Sequence, residues 1–157
     1  MTTDTIFNIT KASSSRIDNV NLDAPGFGRE FADHMLEMEY CDGKWQQPEI
    51  KPYGTIEITP SLNTLHYAQS VFEGTKAYYV DGDKVNLFRP EKNSERMARS
   101  CERMCIPKID KEIFIEGIKE LIRLDHRWVP EKEGNTLYIR PFVCAFDPVI
   151  SARAAET

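Results

Sequence analysis

The sequence predicts an α+β fold: a hairpin-rich, mostly antiparallel sheet flanked by helices. Three observations predict it. Asp42-Gly43 and Asp81-Gly82-Asp83 each lie between strand-like runs, which is a hairpin signal. Two later runs, near 94–104 and 110–124, repeat apolar residues at helical spacing. Strands and helices do not alternate one for one, as a parallel βαβ sheet requires.

Taken in order, residues 1–20 are polar and weakly patterned, and Ser13-Ser14-Ser15 predicts a flexible or loosely docked arm. A Gly/Pro-rich turn, Leu22 to Gly28, follows and carries one aromatic, Phe27. His34 to Tyr40 is strand-like and runs into the Asp42-Gly43 turn before Trp45. Thr55-Ile56-Glu57-Ile58-Thr59 alternates apolar and polar and predicts a short strand closed by Pro60. Leu65, Ala68 and Phe72 fall at i, i+3 and i+7, predicting a helix that ends at Gly74. Ala77 to Val80 and Val85 to Phe88 then form the arms of the second hairpin, closed by Arg89-Pro90.

The next helix is expected to be capped by Asn93 or Ser94, to carry Met97, Cys101 and Met104 inward, and to stop at Pro107. Asp110 caps another, through about Leu124, with Phe114, Ile118, Leu121 and Ile122 as its apolar stripe. Leu137 to Phe146 is strongly β. The Ala/Ser-rich tail after Pro148 looks like an inter-domain connector. The organisation is thus an arm over 1–25, a folded domain over 26–148 and a connector over 149–157.

A chain of 157 residues is long enough to bury roughly 70% of its unfolded surface. Its net charge of −5 argues against a general binder of nucleic acid or of an anionic membrane. No apolar run is long enough to span a bilayer. The start, Met1-Thr2-Thr3-Asp4-Thr5, has neither the basic nor the apolar stretch of a secretory signal. Cys41, Cys101, Cys105 and Cys144 are too few for a disulfide framework and lack the close His or Cys neighbours of a metal site. Reduced thiols in a cytoplasmic protein are expected.

Three sets of residues could carry chemistry. Tyr138 and Arg140 are two apart on a strand and so share a face. A phenol and a guanidinium there can receive a carboxylate, although an Arg that snorkels to solvent beside a rim Tyr fits the same letters. Arg96 lies on a helix beside a strand, where it can hold a phosphate or face water. Phe27 and Phe72 are aromatics in the turn and at the corner, able to plug a core or wall a pocket.

Read as a string, four ordered blocks add a resemblance. His66-Tyr67 with Val71-Phe72-Glu73-Gly74 and Lys76-Ala77-Tyr78 resembles the signature of branched-chain amino-acid aminotransferases, fold-type IV enzymes that use pyridoxal 5′-phosphate. Leu87-Phe88-Arg89-Pro90 with Glu95-Arg96-Met97 and Arg99-Ser100 is similar in the same way, as is Leu137-Tyr138-Ile139-Arg140-Pro141. Phe27-Gly28, Phe31 and Asp33-His34-Met35 resemble the longer, eukaryote-like subgroup. The similarity runs from about Gly26 to Pro148.

The resemblance implies that the chain is the N-terminal, smaller domain of such a transferase. It implies that Arg96 contacts the cofactor phosphate, and that Tyr138 and Arg140 contact substrate. Phe27 and Phe72 would wall the pocket for an aliphatic side chain. Tyr67 would reach into the neighbouring subunit's site, making the enzyme a homodimer. Glu73-Gly74 would hold the corner. The substrates implied are leucine, isoleucine or valine with 2-oxoglutarate, in amino-acid metabolism.

The Schiff-base lysine, and the acid partner of the pyridine nitrogen, belong to the family's C-terminal domain. No lysine here, Lys76 included, occupies the Schiff-base position. This chain is therefore expected to have no catalytic residue and no metal site, and to be inactive alone. Two other readings stand beside this one. One is a domain of another type IV enzyme, such as a D-amino-acid aminotransferase or aminodeoxychorismate lyase. The other is a non-catalytic binding or interaction module.

Overall fold

The computed structural model describes residues 6–156. Strand β1 (Asn8–Ile9) pairs parallel with β5 (Glu49–Pro52), which pairs antiparallel with β2 (His34–Glu37). Between β2 and β5 lies the small hairpin of β3 (Tyr40–Cys41) and β4 (Lys44–Trp45). Its turn residues Asp42 and Gly43 both have positive φ, 53° and 76°, as a two-residue hairpin turn requires.

After α1 (Asn63–Tyr67) come β6 (Ser70–Phe72), β7 (Thr75–Asp81) and β8 (Lys84–Leu87). Helices α2 (Pro90–Arg103) and α3 (Lys111–Leu124) follow, then a single 3₁₀ turn at His126–Trp128. The last strands are β9 (Leu137–Ile139) and β10 (Phe142–Cys144). β7 is the centre of an antiparallel sheet ordered β8-β7-β9, and β10 returns to pair with β6. The α+β expectation holds.

The main core lies between the β7 sheet and the two helices: Val71, Ala77, Met97, Cys101, Ile106, Phe114, Ile118, Ile122 and Val129. Met97 and Cys101 face inward from α2 as the periodicity predicts, and Asp110 caps α3 by accepting from the Glu112 and Ile113 amides at 2.8 and 3.1 Å. Gly117 sits in the interior of α3 because β2 lies close against it. A β-carbon there would come within 2.6 Å of Leu36 Cδ1.

Four local expectations are corrected. The helix predicted from Leu65 to Gly74 stops at Tyr67, where Ala68 turns left-handed (φ 55°). Val71 and Phe72 are strand residues, in register with Val143 and Phe142. A β-branched and an aromatic residue satisfy their backbone groups better in that ladder than in a short isolated helix. Thr55–Thr59 forms no strand. It has no strand partner among the described residues, and Ile56 and Ile58 are exposed.

The cap of α2 is not Asn93 or Ser94. The helix begins three residues earlier, with Pro90 at its first position and Arg89 left-handed before it. Nor does Pro107 end it. The Ile106 amide bonds back to the Cys101 carbonyl at 2.8 Å across a left-handed Cys105, closing the helix first. The segment from Phe7 to Asn19, expected to be flexible or loosely docked, takes the docked form. Phe7 and Ile17 are buried, the Ser15 hydroxyl donates to Asp33 Oδ2, and the Arg16 amide donates to Asp33 Oδ1.

Candidate functional site

The β6–β7 corner is fixed from three sides. The Glu73 amide donates to the Pro141 carbonyl at 2.9 Å, continuing the β6–β10 pairing. β7 holds Lys76 opposite Tyr138 on β9. Helix α2 passes beside the corner and presents Asn93 and Arg96, one turn apart on the same side.

Glu73 is buried, and its carboxylate is fully engaged. Arg96 Nε donates to Oε1 at 2.8 Å and Arg96 Nη2 to Oε2 at 2.7 Å, a bidentate pair. Asn93 Nδ2 adds a bond to Oε2 at 3.0 Å, and the Gly74 amide approaches the same oxygen at 3.3 Å. Burial pushes the Glu73 carboxyl up, but these hydrogen bonds and the Arg96 charge together hold it below the ordinary range. Arg96 is pushed upward in turn, by its bond to Glu73. The Arg96 side chain is still 53% exposed, and its Nη1 has no hydrogen-bond partner among the described residues. A fixed, permanently charged guanidinium edge thus faces outward, suited to an anion.

On the other side of the corner, Gly74 lies against Tyr138. A β-carbon at Gly74 would overlap the phenol hydroxyl and sit 2.9 Å from Cζ. The Tyr138 oxygen accepts from Arg140 Nη2 at 2.9 Å, and the Arg140 guanidinium stacks over Phe72 at 4.5 Å from the ring centroid. Phe27 meets Tyr138 edge to face, with centroids 5.1 Å apart. It is 78% exposed, presented by a loop in which Gly26 and Gly28 both adopt positive φ.

The structure therefore brings Phe27, Phe72, Tyr138 and Arg140 together and joins Arg96 to them through Glu73 and Gly74. It does not bring Tyr67 in. That ring stands exposed at the end of α1, beside His66 and without a bond or ring contact to the others among the described residues. Asn93 was missed as a site residue, since an Asn near a helix start carries the same local pattern as a cap.

A second polar cluster also escaped the sequence reading. His34 Nδ1 lies 2.6 Å from Asp125 Oδ1, while its Nε2 accepts from the Ala12 amide at 2.9 Å. Both ring nitrogens are thereby engaged, one by a carboxylate and one by a backbone amide. Asp33, alongside, accepts from Trp128 Nε1 at 2.9 Å and from Ser15. A cleft of about 310 Å³ borders this cluster. It is no Ser-His-Asp triad, because Ser15 bonds Asp33 and both histidine nitrogens are occupied. No group of three or more His, Cys, Asp or Glu is arranged to hold a metal ion among the described residues.

Comparison with known proteins points one way. No family model matches the chain. It is 48% identical over 132 residues to branched-chain-amino-acid aminotransferase 2 of Bacillus subtilis (strain 168), covering 83% of this chain and 36% of that protein. It is 46% identical over 140 residues to a probable branched-chain-amino-acid aminotransferase of Staphylococcus epidermidis, covering 88% of this chain and 38% of that one. Among solved structures, a branched-chain aminotransferase of Thermoproteus uzoniensis with norvaline matches with TM-score 0.55 and 25% identity, covering 76% of this chain and 36% of that one. A branched-chain amino acid aminotransferase of T.th., complexed with N-(5′-phosphopyridoxyl)-L-glutamate, matches with TM-score 0.51 and 25% identity, covering 73% of this chain and 34% of that one. The resemblance carried by the motifs thus holds in sequence and in fold. The chain spans little more than a third of the length of these curated relatives.

Proposed function

We propose that this chain is the N-terminal, smaller domain of a branched-chain amino-acid aminotransferase. The parent reaction is leucine, isoleucine or valine plus 2-oxoglutarate, giving the branched 2-oxo acid plus glutamate. In this reading residues 26–148 are the domain, 1–25 its arm and 149–157 the start of the link to the remaining polypeptide. The parent enzyme is a cytoplasmic homodimer, with Tyr67 serving the neighbouring subunit's site.

The observation that carries the reading is the Arg96–Glu73 pair. A half-exposed guanidinium, held by two bonds to a buried carboxylate, fits a phosphate ester. Pyridoxal 5′-phosphate, when bound, supplies the amino-group carrier and electron sink of transamination. The chain's own residues bind and orient. Arg96 neutralises the phosphate. Tyr138 and Arg140 receive a substrate carboxylate, the second carboxylate of glutamate above all. Phe27 and Phe72 keep water from an aliphatic side chain. The covalent lysine belongs to the part of the enzyme outside this chain, so the chain alone is inactive.

The test is Arg140→Ala in the complete polypeptide. The half-reaction with glutamate should fall by roughly tenfold or more, the scale of a lost charge-assisted hydrogen bond, while the half-reaction with leucine falls much less. Equal loss in both would refute the role. A panel of D-amino acids and aminodeoxychorismate separates the other type IV activities.

A further inference from the structure

We propose that Asn93 is a positioning residue that locks Arg96 for the phosphate and ties it to the carboxylate-binding end of the same site. The inference rests on the reading of Arg96 given above.

Asn93 is buried inside α2, where its side chain has no capping duty. Its amide nitrogen donates twice, to Glu73 Oε2 and to the Gly74 carbonyl, each at 3.0 Å. One side chain thus fixes both a carboxylate and the next residue's backbone. An amide nitrogen with two hydrogens is the smallest neutral group able to do this, and it adds no charge to compete with Arg96. Glu73, so held, dictates the plane of the Arg96 guanidinium through the bidentate pair.

The second bond acts in the other direction. Gly74 is the surface against which the Tyr138 hydroxyl rests, and that hydroxyl is the acceptor for Arg140. The two cationic ends of the site, Arg96 and Arg140, therefore share one rigid corner. Asn93 is the side chain that bonds to both residues of that corner, Glu73 and Gly74.

The experiment uses the complete polypeptide labelled with ¹⁵N, titrated with pyridoxamine 5′-phosphate and with unphosphorylated pyridoxamine and followed by NMR. The wild type should prefer the phosphorylated probe. Asn93→Ser, which keeps a polar group but cannot make both bonds, should lose that preference by about tenfold, with the Arg96 Nε–H signal exchanging faster. A residue that merely stapled α2 to the corner would lower the unfolding midpoint and leave the preference intact. That result overturns the proposal. A wild type without preference overturns the reading of Arg96 itself, and the two failures are thus distinct. If Asn93→Ser does not fold, the native chain decides. Joint shifts of the Asn93 side-chain amide and the Arg96 Nε–H on adding the phosphorylated probe support the coupling, and a response of Arg96 alone overturns it.

Discussion

Gly74 shows how tightly the site is built at the scale of single residues. A β-carbon on it would overlap a phenol that is in turn bonded to Arg140, so there is no room for a methyl group. Gly74→Ala should therefore push Tyr138 away, break its bond to Arg140 and destabilise the chain by about 1–3 kcal/mol, as overpacking does. Urea unfolding checks the stability, and an unchanged midpoint would mean that the contact is slack. The sequence motif pointed to Glu73, Gly74, Tyr138 and Arg140 without saying what each touches. Asn93 was illegible because its partners lie 20 and 19 residues away. Local pattern carries capping information and not contacts across the fold.

Individual elements were legible where their signals are local. Asp42-Gly43 and the Gly82 turn specify hairpins through their own backbone preferences, and Asp110 specifies the start of α3 through two short bonds. Asp110→Ala should cost about 1 kcal/mol of stability, and Asp110→Asn or Asp110→Ser should restore most of it in thermal unfolding. Loss of the cap without effect would show that packing of Phe114, Ile118 and Ile122 alone sets the helix. The stretch from Leu65 to Phe72 was misread for the opposite reason. Its helical spacing is real, but β10 arrives from 70 and 72 residues later in the chain to capture Phe72 and Val71 as a strand. Thr55–Thr59 carries a strand pattern and finds no such partner among the described residues.

Across the whole molecule, buried carboxylates join distant segments. Asp33 ties residues 15 and 16 to Trp128, and burial, which would raise its carboxyl, is outweighed by bonds from Ser15, the Arg16 amide and Trp128, so it titrates low. Glu73 is also low. Carboxyls depressed in the folded state stabilise it above their ordinary range, near pH 4, and that stability is lost as pH falls through the lowered values. Asp125 has the opposite sign. Burial raises it above its ordinary value despite His34, so its contribution favours folding at acid pH and fades as pH rises through the raised value. Stability measured by urea should fall from about pH 4 downward, and Asp33→Asn should start lower and fall less steeply. An acid limb as steep in Asp33→Asn as in the wild type would remove Asp33 from the account.

At the same scale, the central claim is a division of labour. Under the proposed function this chain would hold a phosphate and a substrate carboxylate, while the covalent lysine would lie in the rest of the enzyme. The most direct measurement is to incubate the chain with pyridoxal 5′-phosphate, reduce with borohydride and map the modified lysines. The account predicts no lysine labelled in stoichiometric yield. A single, uniquely labelled lysine would contradict it, because the chain would then build a complete covalent site of its own.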